Sequence, residues 1–299
     1  MKSYTTLRNL YGKRTKNSST ANLTLGDETI NDEYRNLCAL KDFAFLHKAR
    51  TLTTGAATQF KNLPYDIDQV ESVSVTISSR IYTPKLLHSK EEWDILNQIQ
   101  SNSDFPQYAF VYNGQIGLYP TPVTAGNTIT INGKIRVIDL NTADITSTTI
   151  TTLANASTAL TVSAGLTAQM VGFWIRPTFS TTANTGDGRW YEIDSISSAT
   201  AGVLVRAYGG VSIAVGTAAC TLAQMPILPE NFHDLPVWGA AANYWYNNGD
   251  VRRGDSYTKK FETGQKTLIT QYTSFITDPV LEEGLEGRDL INPNLTITI

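Results

Sequence analysis

From about residue 140 to residue 225 the chain has no helical periodicity. Short apolar runs follow one another at roughly ten-residue intervals. They are Leu160-Thr161-Val162, Phe173-Trp174-Ile175-Arg176, Trp190-Tyr191-Glu192-Ile193 and Val203-Leu204-Val205. Turn-forming stretches, Asn184-Thr185-Gly186-Asp187-Gly188 and Gly209-Gly210, fall between them. Strands that short need a closed or two-layered sheet to bury one face, so the segment predicts an all-β sandwich or small barrel. Composition agrees: 40 threonines lie in the 299 residues, many of them in this stretch, and β-branched side chains suit a pleated surface. Pro226 and Pro229 mark the exit from the segment.

Both flanks read differently. Near the start, Leu7, Leu10 and Tyr11 are spaced for one helical turn, and Asn17-Ser18-Ser19-Thr20 reads as a loop. Ile30, Tyr34, Leu37 and Cys38 form the stripe of an amphipathic helix, with Asp27 and Glu28 near its start. Residues 50–54 and 58–63 around Gly55-Ala56-Ala57 predict a hairpin, and Val73, Val75 and Ile77 alternate as a half-buried strand. Ser89 with Glu92 has the spacing of a capping box ahead of Trp93, Leu96 and Gln100. Asn113-Gly114 between Phe110-Val111-Tyr112 and Ile116-Gly117-Leu118 is a strong hairpin signal. Ile129, Ile131, Ile135 and Val137 extend that sheet around Gly133.

After the β segment, Leu235, Trp238, Ala241, Ala242 and Trp245 share a helix face that stops at Asn247-Asn248-Gly249. Tyr257, Phe261, Leu268 and Tyr272 mark a second helix. Beyond it come Asp278-Pro279, an acidic stretch, Asn292-Pro293, and strict alternation in Leu295-Thr296-Ile297-Thr298-Ile299. A lone strand of that length needs a sheet edge to pair with. The fold class expected is α+β. Residues 1–139 plus 226–275 form one body, 140–225 an inserted β domain, and 276–299 an extended C-terminal arm.

The chemistry on offer is thin. Net charge is −3, from 24 basic and 27 acidic residues, which gives no bulk pull toward nucleic acid or a membrane surface. Two distant cysteines, Cys38 and Cys220, supply neither a disulfide framework nor a zinc set, and fit a reducing cytoplasm. The start of the chain has no apolar core like that of a signal peptide, and no apolar run reaches membrane-spanning length. His47, His88 and His233 have no partners at metal spacing, and no Walker, nucleophile-elbow or dinucleotide motif occurs. Gly186-Asp187-Gly188 with Asp194 nearby lacks the alternating oxygens of a calcium loop, and Asp66 and Asp68 after Pro64 read as turn carboxylates. No pair of carboxylates stands out as a glycosidase pair. The basic start (Lys2, Arg8, Lys13, Arg14, Lys16) reads as a solvated or subunit-contacting arm, with phosphate contact the alternative. Phe173, Trp174, Trp190, Tyr191 and Tyr208 read as core more readily than as sugar platforms. No catalytic, cofactor-binding or metal residue is assigned.

Several stretches, in this order, resemble the head-to-tail adaptor (connector, head-completion) proteins of tailed bacteriophages. They are Leu25-Gly26-Asp27-Glu28-Thr29-Ile30-Asn31-Asp32, Thr51-Leu52-Thr53-Thr54 through Leu63-Pro64-Tyr65-Asp66, Asn113-Gly114-Gln115-Ile116-Gly117-Leu118-Tyr119-Pro120-Thr121-Pro122 and Leu228-Pro229-Glu230-Asn231-Phe232-His233-Asp234-Leu235-Pro236. The resemblance covers most of the chain, and each motif is individually loose. It implies a helical adaptor body and a structural, non-enzymatic virion protein at the head-tail neck, assembled in the host cytoplasm. Implied partners are other copies of the chain in a dodecameric ring, the portal protein, the tail tube or nozzle, and fibre proteins. Double-stranded DNA would pass through the lumen without sequence-specific binding; no cofactor and no membrane are implied. A dozen copies at −3 each give roughly −36, a charge that repels DNA and lets it slide. The partner interface is placed on Tyr257, Phe261, Leu268 and Tyr272 and on the terminal Leu295, Ile297 and Ile299. The alternatives are a tail-tube or stopper subunit, a wall hydrolase, or a carbohydrate-binding decoration protein acting through the β insertion.

Overall fold

The computed structural model describes residues 1–99, 101–179, 186–213 and 218–273. It is a mixed α+β structure with three layers of organisation: a helical core, a two-sheet sandwich and a closed barrel.

The helical core comes from the two ends of the sequence. Helix α1 (Tyr4–Thr15) is capped by Ser3, whose hydroxyl accepts from the Thr6 amide, and buries Tyr4, Leu7 and Tyr11. It spans three turns where the apolar spacing predicts one, because it packs against other helices rather than relying on its own propensity. Helix α2 (Thr20–Ala39) is capped by Ser19, begins nearly three turns before the predicted stripe, and buries Ile30, Tyr34, Leu37 and Cys38. Helices α4 (Leu235–Asn247) and α5 (Val251–Tyr272) complete the cluster. The short helix α3 (Lys90–Asn97) lies apart. There Ser89 accepts from the Glu91 amide at 3.2 Å, so the Ser89 cap is used but not with the predicted Glu92 amide.

Two four-stranded sheets pack face to face. In the first, β1 (His47–Thr53), β8 (Thr128–Ile135), β3 (Ile67–Ile77) and β4 (Arg80–Tyr82) are ordered β1-β8-β3-β4. In the second, β2 (Phe60–Asn62), β7 (Gln115–Tyr119), β6 (Tyr108–Tyr112) and β5 (Lys85–Leu87) are ordered β2-β7-β6-β5. Val73, Val75, Ile77, Ile129 and Ile131 from one sheet meet Ala109, Ile116 and Leu118 from the other. The Asn113-Gly114 hairpin forms as read, with φ of 49° and 71° at its two central residues. The hairpin expected around Gly55 shrinks to one antiparallel bridge, Gly55 with Thr58, and its flanking strands do not pair with each other. β1 pairs with β8 while β2 pairs with β7 in the other sheet, so the turn crosses between layers. Gly133 carries a second constraint: an added Cβ would lie 2.2 Å from the Gln69 carbonyl oxygen, where the β3–β8 register shifts.

Six strands close the barrel in the order β10-β13-β12-β11-β14-β9. They are β9 (Thr149–Thr152), β10 (Ala159–Val162), β11 (Trp174–Pro177), β12 (Tyr191–Ser198), β13 (Ala201–Leu204) and β14 (Ala218–Ala223). Leu160, Val162, Phe173, Ile175, Tyr191, Ile193, Leu204 and Tyr208 fill its interior. Three of the five aromatics weighed as sugar platforms, Phe173, Tyr191 and Tyr208, are thus core residues. The Arg176 guanidinium lies 4.7 Å from the centre of a fourth, the Trp190 ring. Residues 276–299, with Leu295, Ile297 and Ile299, lie outside the described residues.

Candidate functional site

The densest cluster of titratable groups sits where the first sheet meets the barrel. Arg50 of β1 is 1% exposed. Its Nε and Nη2 donate to Asp66 Oδ2 at 2.8 and 2.6 Å, its Nη2 to Glu192 Oε1 at 2.9 Å, and its Nη1 to Asp194 Oδ1 at 3.3 Å. Lys48 adds a second cation on Glu192 at 2.5 Å, and the Thr51 hydroxyl donates to Asp194 at 2.7 Å. Burial alone would pull the Arg50 guanidinium down, but Asp66 and Glu192 outweigh it and hold it above its ordinary value. Burial pushes the Glu192 carboxyl up, and Lys48 with Arg50 pull it to a net position below the usual range. Asp66 is therefore a buried ion-pair partner rather than a turn carboxylate, and Asp194 is engaged with Arg50 and Thr51. Asp68 does lie at the surface, 3.2 Å from Arg136. The adjoining cavity of about 40 Å³ has room for a water or two, not for an organic substrate.

A second seam joins the chain's start to the entry of α4. His233 is buried, its Nδ1 accepting from the Lys2 amide at 3.0 Å and its Nε2 lying 2.9 Å from the Leu228 carbonyl. Accepting at Nδ1 places the ring proton on Nε2, where it donates to Leu228. Desolvation lowers the pKa of this imidazole to about 4. The Lys2 ammonium reaches Asp234 at 2.5 Å, Arg14 lies 3.6 Å from the same carboxylate, and Arg8 pairs with Asp27 at 3.0 Å. The basic start is thus folded into the helical core rather than projecting as an arm.

Other candidate nucleophiles are muted. Burial pushes the Cys38 thiol up to about 12 and the Cys220 thiol up to about 11. His47 lies between Asp42 at 3.1 Å and Glu71 at 2.7 Å. Among the described residues no group of three or more His, Cys, Asp or Glu is arranged to hold a metal, and no helix is long and apolar enough to cross a membrane. An open hollow at one end of the barrel includes Asn155 and Asp187. Their polar atoms are engaged internally: Asp187 accepts from Tyr191 Oη at 2.5 Å, and Asn155 Nδ2 donates to the Gly210 carbonyl at 2.9 Å.

A broad concave surface lies between α4 and α5. Asp250 caps α5 by accepting from the Arg253 amide at 3.0 Å, and the 22-residue helix then runs antiparallel to the 13 residues of α4 and continues past its start. Gly264 lets the two helices approach: a Cβ there would come 2.6 Å from Leu235 Cδ1. The result is an open groove of about 690 Å³. One wall is the start of α4 with Phe232, Leu235 and Trp238, and the other is the stripe Ser256, Lys259, Lys260, Thr263, Thr267 and Gln271 of α5. The Trp238 indole N–H is buried without an acceptor among the described residues, and Arg14 lies 5.3 Å from the centre of its ring.

The residues marked from sequence as a partner interface fall on the stripe of α5 next to the groove lining. Leu268 is fully buried, and Phe261 and Tyr272 pack partly buried against the same core. Tyr257 is half-buried, with the Lys260 ammonium 5.4 Å from its ring centre. The groove stripe was not singled out by sequence reading, because Ser, Thr, Lys and Gln on a helix read as a solvated face. Only the small Gly264 hints that a neighbour approaches there.

A family model described as SU10 adaptor protein matches residues 3–277. No curated protein matches the chain. The match covers nearly the whole chain, and the chain belongs to that family of phage adaptor proteins, structural components of the virion.

Proposed function

We propose that this SU10-family adaptor forms a ring, of about a dozen copies, that joins the portal to the tail and surrounds the path of the DNA. The family match carries the reading. The structure adds support of two kinds. The titratable clusters are used up in holding barrel, sheets and helices together, which suits a part that bears load rather than one that turns over substrate. Each body sheet also keeps an outer strand, β4 in one and β5 in the other, with an unpaired edge of the kind to which another chain can add a strand.

The C-terminal arm is the proposed contact with a neighbouring subunit or the portal. Leu295, Ile297 and Ile299 would add as a strand to a sheet edge, with backbone hydrogen bonds giving affinity and alternate side chains giving register. The barrel is closed and offers no edge, whereas β4 and β5 are edge strands of the two body sheets.

The test is assembly. Virions produced without this protein should carry DNA-filled or leaking heads that lack tails, and purified protein added to portal-bearing heads should appear as a ring beneath the portal in electron micrographs. Normal head-tail joining in its absence would overturn the reading.

A further inference from the structure

The α4–α5 groove and the segment beyond α5 have complementary chemistry. The floor is apolar, built on Phe232, Leu235 and Trp238, and Lys259 and Lys260 stand exposed on its rim. Across α5 as a whole, five basic side chains (Arg252, Arg253, Lys259, Lys260, Lys266) outnumber Asp255 and Glu262. The segment 274–299 carries five acids, Asp278, Glu282, Glu283, Glu286 and Asp289, against the single base Arg288. That segment is therefore −4, and taking it from the chain's 24 basic and 27 acidic residues leaves 23 basic against 22 acidic, a body of +1. The acids are interleaved with Val280, Leu281, Leu285, Leu290 and Ile291, so the stretch has apolar groups for a floor and carboxylates for a basic rim.

Placement agrees with the chemistry. The α5 wall of the groove runs from Ser256 to Gln271, about 22 Å at helical rise. Its near end lies on the last turn of α5, one residue before Tyr272 closes the helix. Five residues, Thr273 to Thr277, separate the helix end from the first acid and reach roughly 17 Å when extended. A segment leaving α5 there meets the groove of its own copy first, at an effective concentration that a free partner does not match.

We propose that Asp278–Ile291 docks in the α4–α5 groove of its own copy, with its carboxylates against Lys259 and Lys260 and its leucines over Leu235 and Trp238. Residues 292–299 then lie beyond the docked stretch, available to a partner. The inference does not depend on ring formation or portal binding, because it concerns the single copy.

Zero-length carbodiimide cross-linking of the full chain at low concentration tests it, since the reagent joins only an ammonium and a carboxylate already in contact. Peptide mapping of the monomer-sized band should show Lys259 or Lys260 joined to Glu282, Glu283, Glu286 or Asp289, at a yield unchanged by dilution. Lys266, exposed on α5 but not lining the groove, is the internal control and should give no such link. The charge reversal K259E/K260E should abolish the link in a protein whose circular dichroism is unchanged. Pairing it with E282K/E283K should restore a link of opposite polarity. Cross-links confined to dimer-sized bands would place the segment on a neighbouring copy and overturn the proposal. No link at all, or equal linking of Lys266, would overturn it as well.

Discussion

Replacing Arg50 by methionine keeps most of the side-chain volume and removes the one charge shared by three buried or nearly buried acids. Asp66 loses both of its hydrogen bonds to the guanidinium, and its Oδ1 already has no partner. Glu192 keeps Lys48 at 2.5 Å and Asp194 keeps the Thr51 hydroxyl at 2.7 Å, so the full loss falls on one carboxylate. Breaking a buried ion pair by removing one partner costs about 3–5 kcal/mol, most of it the penalty of the charge left behind. In a chain of this size that lowers the melting temperature by roughly 5–8 °C.

Acid separates this account from simple loss of packing. Carboxylates stranded by R50M are relieved by taking up protons, so the deficit against wild type should shrink as pH falls from 8 to 5. Denaturant unfolding followed by tryptophan fluorescence at several pH values measures it. The double variant R50M/D66N should recover at least half of the loss. A deficit below about 1 kcal/mol at pH 7.5, or one that does not change with pH, would refute the claim that the seam is held by charge.

Three further outcomes follow from local geometry. G133A should lose about 1–3 kcal/mol in chemical denaturation, because its Cβ would meet the Gln69 backbone, which has little freedom to move. D250A should lose about 1 kcal/mol by removing the acceptor for the Arg253 amide, with the helical signal of circular dichroism reporting the fraying of α5. His233 titrates at about 4 when folded and 6.5 when not, so its contribution is complete above pH 6.5 and is lost as pH falls toward 4. That amounts to about 3 kcal/mol of wild-type stability across the window, and H233Q should flatten the slope.

Sequence periodicity located the elements that bury one face. The alternation of Val73, Val75 and Ile77, the Asn113-Gly114 turn and the α4 stripe each encode structure within a short window. It missed what depends on distant partners. Nothing near Gly55 says that β1 and β2 join different sheets, because their partners β8 and β7 lie more than 50 residues away. β9 and β14, built on Thr149-Ile150-Thr151-Thr152 and Ala218-Ala219-Cys220-Thr221-Leu222-Ala223, are too short and too small in side chain to register as strands. Asp66 looked like any carboxylate after a proline, since its burial is set by Arg50 sixteen residues back and by a barrel strand over a hundred residues on. The basic N-terminal stretch misled for the same reason: its counter-charges Asp27 and Asp234 are supplied by other helices.

The two charged seams both weaken in acid but over different pH windows, and this orders how the molecule loosens. Each ties residues in the first fifty to residues after 190: His233 and Asp234 to Lys2, and Glu192 with Asp194 to Arg50. The first contains a buried neutral imidazole that protonation disrupts, because a second ring proton would place a charge where burial disfavours it. The second contains Glu192, whose carboxyl Lys48 and Arg50 hold below its ordinary range against the push of burial, so it keeps its charge through the window in which the imidazole contribution is lost. As pH falls from 7 the contact between α1 and the entry to α4 must therefore weaken while the barrel stays fastened to β1. Hydrogen exchange, corrected for its intrinsic pH dependence, should show protection lost first in residues 2–8 and 228–235, and retained in β1 and β12. Loss of the barrel seam first, or of both together, would mean that burial rather than charge decides which contact yields.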